Sequence, residues 1–164
     1  MNPKLSKEEY LKKNKKNIFL RFFLRSIDIL AQFTLIPKLR IFFYRLIGVK
    51  IGKNCFISLY CHLDTQFAEL ITLEDGVGLG PGTTILCHDD SNGWYERKKD
   101  GLNCIVSAVT IKKGTFIGAN ALILPGVIIG EGCIISSGSV ISTDIPDFYI
   151  VLRESNNYLK RKDI

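Results

Sequence analysis

The chain has 164 residues, 46% of them hydrophobic and 23% charged, which suits one folded domain with a helical extension and excludes a largely disordered chain. Its net charge of +6 is unevenly placed: residues 1–50 hold twelve Lys/Arg against three Asp/Glu, and residues 51–164 hold ten against thirteen. The basic charges of the first segment alternate with bulky apolar residues that a phosphate-binding arm would not need, so no nucleic-acid partner is expected.

In chain order, residues 1–16 read as a basic, polar lead-in, frayed or helical. From Ile18 to Val49 the sequence turns apolar and aromatic. Its longest uncharged run, Ile29–Pro37, is nine residues, well short of the roughly 20 that span a bilayer. The spacing of Phe19, Phe22, Phe23, Ile27 and Leu30 predicts a helix, then a break near Pro37, then a second short helix through Ile41, Phe42 and Leu46. Two readings of this segment stay open. It caps the open end of the repeat that begins at Ile51, or it lays a basic amphipathic helix on an anionic membrane surface.

At Ile51 the period changes. Ile51, Ile57 and Leu63 stand six apart; two extra residues around Glu69–Leu70 shift the phase, and Ile71, Val77 and Thr83 carry it on. Segment 89–104 is polar, charged and turn-rich, and reads as an ejected loop. From Ile105 to Ile141 an isoleucine then recurs at every sixth residue. The fourth residue after each is Val109, Thr115, Ala121, Val127, Cys133, Ser139 and finally Ile145. Neither a helix of period 3.6 nor an amphipathic strand of period two gives that phase. A fixed six-residue repeat predicts an all-β solenoid of short strands, each burying its Ile and a smaller second inward residue. The expected organisation is a helical extension over 1–47, a solenoid over 48–146 with its loop at 89–104, and a tail over 147–164 that is basic at Lys160 and Arg161.

Of the five cysteines, Cys55, Cys61, Cys87 and Cys133 fall on the small inward position and read as buried apolar residues rather than disulfide or metal partners. Cys104 lies outside that position and reads as a free thiol. This cysteine usage implies a reducing cytoplasm, and no cleavable signal peptide is expected.

The hexads, the Gly-Val-Lys-Ile-Gly-Lys-Asn stretch at 48–54, Ile-Leu-Pro-Gly-Val at 123–127 and Ser-Gly-Ser-Val at 137–140 resemble the hexapeptide-repeat acyltransferases. Within them, Leu63-Asp64-Thr65, Glu69-Leu70-Ile71 and the run from Ile85 to Ser91 look most like bacterial O-acetyltransferases acting on capsule, exopolysaccharide or lipopolysaccharide sugars. The resemblance implies a left-handed parallel β-helix with three strands per coil, against the usual right-handed crossover. It also implies a homotrimer with active sites between subunits, acetyl-CoA as co-substrate, a saccharide acceptor and no metal in the chemistry.

Moving an acetyl group from a thioester to a hydroxyl needs a base for the hydroxyl proton, and the chain offers only His62 and His88. The resemblance places the catalytic histidine at His88; His62, one coil earlier, is structural or lines the acceptor. It makes Asp64 an acceptor-contacting acid, with Glu69, Asp89 and Asp90 as candidates for orienting the imidazole and ordinary turn residues as the plainer reading. Trp94 and Tyr95 either stack on a sugar or pack across a subunit interface. Ala108, Gly118, Ala119, Ser137 and Ser142 would lie along the pantetheine arm, with the Ala119 amide at the oxyanion, or would simply satisfy the turns. Lys160 and Arg161 would meet the nucleotide phosphates. Competing functions are N-acetylation of an amino sugar, a non-catalytic scaffold, and a γ-type zinc carbonic anhydrase, which needs three histidines per metal where this chain has two.

Overall fold

The computed structural model describes residues 5–6, 18–91, 105–152 and 158–160. A two-residue strand, β1 (Leu5–Ser6), comes first, followed by helices α1 (Ile18–Phe33) and α2 (Pro37–Ile47). Short strands then come in sets of three. The first rung is β2 (Lys50–Ile51), β3 (Phe56–Ile57) and β4 (His62–Leu63), and the second is β5 (Ile71–Leu73), β6 (Gly78–Leu79) and β7 (Thr84–Ile85). After β8 (His88–Asp89) and β9 (Ile105–Val106), the third rung is β10 (Val109–Ile111), β11 (Phe116–Ile117) and β12 (Leu122–Ile123). The fourth is β13 (Ile128–Ile129), β14 (Ile134–Ile135) and β15 (Val140–Ile141), and the last strands are β16 (Tyr149–Val151) and β17 (Tyr158–Lys160).

Strands β2, β5, β10 and β13 stack as one sheet; β3, β6, β11, β14 and β16 as a second; β4, β7, β12 and β15 as a third. Within each of these runs the pairing is parallel. Successive strands thus visit three faces in rotation, one rung per circuit. The second residue of most strands points in, and Ile57, Leu63, Leu79, Ile85, Ile117 and Ile123 are fully buried. The smaller inward residues Cys61, Val77, Thr83, Thr115, Ala121, Val127 and Cys133 are buried beside the corners.

Two of the three corners turn through left-handed residues on every rung. Asn54, Gly76, Gly114 and Gly132 occupy one corner at positive φ, and Tyr60, Gly82, Asn120 and Gly138 the next. Gly118 is required for another reason. A Cβ there would stand 2.5 Å from the Ser137 nitrogen and 2.7 Å from the Ile135 oxygen, inside the backbone of the next rung.

Backbone bonds between rungs run both ways: N–H groups at and beside the strands donate to the following rung, and corner N–H groups at Gly76, Gly82 and Gly114 donate back to Lys53, Leu59 and Asp75. Phe56 N–H donates to Val77 O, Gly78 N–H to Thr115 O, and Phe116 N–H to Cys133 O, each at 2.9 Å. At the open end of the first rung α2 brings donors to free carbonyls, and the Tyr60 N–H of the rung donates to Gln32 O of α1 at 3.1 Å. Arg40 Nη1 donates to Ile57 O at 2.6 Å and Tyr44 Oη to Cys61 O at 2.5 Å. Arg45 Nη2 donates to Ile51 O and Gly52 O at 3.0 and 2.8 Å. Arg40 is buried, and its second nitrogen donates to Thr34 O in the turn between the helices. Burial, with the nearby Asp28 charge adding to it, pushes the Tyr44 hydroxyl well above its ordinary range, so it remains a donor.

The structure departs from the sequence expectations at three places. Ile105 keeps the six-residue spacing but lies outside the coil, because β9 pairs antiparallel with β8, Asp89 opposite Ile105. The excursion is thus a hairpin whose stem runs from His88 to Val106. The coil also continues past Ile145: that residue bridges in parallel to Ile129, and β16 pairs with β14 before β17 folds back on it antiparallel. At the other end, β1 joins the hairpin stem, Leu5 opposite Val106. Cys104 lies outside the described residues.

Tyr44→Phe should lower unfolding free energy in urea by about 1–3 kcal/mol, the cost of stranding a buried carbonyl, and Arg40→Met should cost more because it strands two. Gly118→Ala should lower it by about 1–3 kcal/mol through overpacking against the next rung.

Candidate active site

The corner from the third face to the first departs from the regular repeat in two consecutive rungs. In the first rung, Leu63 to Ile71 takes eight residues instead of six, and the surplus forms a 3-10 turn at Ala68–Leu70. In the second, the hairpin leaves the coil at His88. The two departures lie one above the other, and they bring Asp64, Phe67, Cys87 and His88 together.

Asp64 is buried, 3% exposed. Its Oδ1 accepts from the Gln66 N–H at 3.2 Å and its Oδ2 from the Cys87 N–H at 3.0 Å. The same Oδ2 stands 2.5 Å from His88 Nδ1. An ionised carboxylate only accepts, so Nδ1 carries the proton. In the neutral ring the lone pair then resides on Nε2. The Phe67 ring, fully buried, lies 5.1 Å from the imidazole, tilted by 48°. The imidazole is 26% exposed: held along one edge and reachable from outside.

Sequence reasoning put Asp64 on the acceptor; in the structure its carboxylate meets the imidazole, with both oxygens engaged inside the chain. Asp89, a candidate for that orienting role, instead accepts from the Ser91 N–H at 2.9 Å, and hydrogen bonds from Ser91 hold its carboxyl below the usual range. Glu69 sits half-buried on the 3-10 turn, close enough that its charge raises the Cys87 thiol. Asp90 is exposed. Sequence reasoning missed Phe67, although an aromatic inside a two-residue insertion at the histidine's corner is a readable sign.

Cys87 adjoins the histidine in sequence but faces the core. Burial, then the Asp64 charge, pushes its thiol far above the ordinary value, and burial pushes Cys61 up to about 11. A buried thiol that resists ionisation makes a poor nucleophile. His62 is exposed on β4 and its charge interacts with Asp28 of α1, whose carboxyl is raised chiefly by burial.

The remaining candidates divide between two edges of the third face. Gly118, Ala119 and Ser137 lie at the corner where the second face meets the third, on adjacent rungs, and Gly138 N–H donates to Ala119 O at 2.8 Å. Gly118 is small because the next rung leaves no room. Among the described residues nothing accepts from the Ala119 N–H. Ala108, half-buried, and Ser142, exposed, lie at the other edge, on the corner that carries His88. Five residues of strand and turn, Ala119 to Leu124, separate the two edges, roughly 16 Å at 3.3 Å per residue. Within one chain the Ala119 amide and the His88 ring do not meet. Trp94, Tyr95, Arg161 and the side chain of Lys160 lie outside the described residues. Among the described residues there is no group of three or more His, Cys, Asp or Glu that could hold a metal ion.

Comparison with known proteins agrees with this architecture. Residues 108–143 match the bacterial transferase hexapeptide family, described as six repeats. The chain is 32% identical over 119 residues to YvoF of Bacillus subtilis (strain 168), a protein provisionally named as an acetyltransferase; the match covers 72% of this chain and 64% of YvoF. Curated relatives from fission yeast and Staphylococcus aureus match over 46% and 48% of their own lengths, so the chain spans between about half and two thirds of these relatives. Among solved structures, a maltose O-acetyltransferase from Clostridium difficile 630 shares the fold at a TM-score of 0.65 and 21% identity, covering 87% of both chains. A hexapeptide-repeat acetyltransferase of Vibrio cholerae, complexed with acetyl coenzyme A, does so at 0.64 and 20%, covering 81% of both. The chain thus carries the bacterial transferase hexapeptide repeat over residues 108–143 and shares its fold with hexapeptide-repeat acetyltransferases.

Proposed function

We propose that the protein is an acetyl-CoA-dependent O-acetyltransferase acting on a hydroxyl of a bacterial surface saccharide, with His88 as general base. The observation that carries this reading is the pairing of the partly exposed His88 ring, through Nδ1, with the buried Asp64 carboxylate, which leaves Nε2 as the proton acceptor. The sugar-acetyltransferase likeness and the coenzyme A-bound neighbours support donor and acceptor class.

The step balances without an acyl-enzyme. The acceptor hydroxyl gives its proton to Nε2 as its oxygen attacks the thioester carbonyl. The Ala119 N–H meets the resulting oxyanion, an interaction commonly worth about 3 kcal/mol in such sites. Collapse expels the coenzyme A thiolate, which recovers the proton from Nε2, leaving an acetyl ester and free thiol. Asp64 stabilises the imidazolium in between and fixes the tautomer.

The gap across the third face argues for assembly. In this proposal the coil is left-handed and three copies pack so that the Ala119 edge of one subunit faces the His88 edge of the next. The donor lies in that groove along Ala108, Gly118, Ala119, Ser137 and Ser142, with Lys160 and Arg161 on its phosphates and Trp94 and Tyr95 at the acceptor. The protein works in the cytoplasm, peripherally on the inner face of the membrane.

His88→Ala should lower kcat by roughly 10²–10⁴-fold with the folded state intact, measured with a panel of saccharide acceptors. Full activity in that variant overturns the proposal. Asp64→Asn should also lower kcat by roughly 10²-fold or more. Because it removes the negative charge that favours the protonated ring, it should move the acid limb of the rate profile to lower pH. Iodoacetamide at pH 8 should leave Cys61 and Cys87 unmodified in the native protein, read by mass spectrometry, with activity retained. Release of the transferred acetyl by mild base marks an ester; a base-stable product would mark an amide and an amino-sugar acceptor.

A further inference from the structure

The helical cap meets the coil on one side only. Along α1, Leu24, Ile27, Asp28 and Ala31 are buried. On the opposite arc stand Phe19, Phe22, Phe23, Ile29, Leu30 and Phe33, each more than half exposed. At 3.6 residues per turn these six fall on one side of the helix, with Phe33 at the coil end of that side, its ring edge-on to Tyr60 at 5.5 Å. The connecting turn adds Leu35 and Ile36, and α2 adds Leu39, Phe42 and Leu46 at three- and four-residue spacing, all exposed. A groove of about 420 Å³ between the two helices, lined by Ile29, Leu30, Phe33, Thr34, Leu39 and Phe43, continues this surface. A soluble domain rarely leaves so much contiguous apolar area uncovered.

The charge around the face is of one sign. Arg25 and Lys38 are exposed beside it, and the single acidic residue between positions 19 and 49, Asp28, is buried on the opposite side. Residues 1–50 carry a net +9. Two copies meeting through this face would bring like charges together, whereas an anionic lipid surface supplies the opposite charge. Among the described residues no helix is long and apolar enough to cross a membrane, so the fitting mode is to lie in the interface.

We infer that the outward face of α1 and α2 is a docking surface for an anionic lipid bilayer, with the phenylalanines seated at the headgroup–acyl boundary and Arg25 and Lys38 among the headgroups. This deepens the peripheral location proposed above by assigning it to named residues. It stands apart from acetyl transfer, since the face contains neither Asp64 nor His88. It also has a geometric consequence. The cap closes the first rung, and His88 departs from the second, so at about 4.8 Å per rung docking holds the catalytic corner close beneath the lipid surface.

The test uses the full chain without acetyl donor or acceptor. Sedimentation with vesicles of equal parts phosphatidylglycerol and phosphatidylcholine should carry the protein down at low salt, and pure phosphatidylcholine vesicles should bind it at least about tenfold less. The double variant Phe22→Ser, Ile29→Ser should lose at least about tenfold in partition at unchanged thermal midpoint, and Arg25→Glu with Lys38→Glu should lose binding selectively to the anionic vesicles. Wild-type protein left in the supernatant, or a serine variant that binds like wild type, overturns the inference. So does analytical ultracentrifugation showing that the serine variant halves the oligomer while lipid binding is absent, which would assign the face to a second copy. His88→Ala should bind vesicles like wild type, so failure of docking and failure of acetyl transfer read out separately.

Discussion

The need to satisfy the open end of the coil governs this molecule. At the N-terminal rung the carbonyls of Ile51, Gly52, Ile57 and Cys61 have no earlier rung to donate to them, which leaves an open sheet edge. Water could satisfy it, but so could any strand that came along, and an exposed sheet edge invites pairing with another chain. The solution here is chemical rather than only steric. Arg40, Tyr44 and Arg45 are donors, and they project from one helix onto Ile57, Cys61, Ile51 and Gly52. Part of the positive charge in the N-terminal segment is therefore structural. Arg40 in particular is a buried cation whose charge is met by carbonyl dipoles at Ile57 and Thr34, and a guanidinium with its fork of donors suits that task better than an ammonium.

A regular coil has no site. Two of its corners are filled by left-handed turns, and its inward positions by aliphatic or small residues. The proposed catalytic pair sits where the pattern breaks twice at the same corner. The first break wedges Phe67 into the core and buries Asp64; the second ejects a hairpin and starts it at His88. Stacking the two breaks lets a carboxylate from one rung meet an imidazole from the next at 2.5 Å. The Cys87 amide between them is part of this arrangement, donating to the same carboxylate oxygen at 3.0 Å.

The architecture was readable because a six-residue period is a geometric statement, and no other local structure produces it. The helices and the break before Pro37 were readable because one residue fixes where α2 can begin. The two surplus residues before Ile71 were visible as a phase shift. What periodicity cannot supply is contact across rungs. Asp64 and His88 are 24 residues apart, and nothing local says whether the carboxylate faces an acceptor or the ring. Ile105 misled because it keeps the spacing while the chain around it has left the coil; hydrogen-bond partners decide that membership. Residues 149–151 were overlooked for the converse reason. Ile145 follows Ile141 by four residues, which breaks the phase, yet Val151 stands six beyond Ile145 and the second face still offers β14 as an edge to pair with.

The division of the third face into two edges bears on how such a scaffold can catalyse at all. A rigid prism holds its parts at fixed separations, so a base on one edge and an amide donor on the other cannot close on a single carbonyl by any motion within the chain. Bringing a second copy alongside turns that rigidity into an advantage: both halves arrive already positioned, and no loop has to order itself to complete the oxyanion contact. The requirement then falls on the interface rather than on the chain, and a chain kept as a monomer would retain the Asp64–His88 pair while lacking its counterpart. On the proposed reading the imidazole is built within one subunit, and the catalytic centre between two.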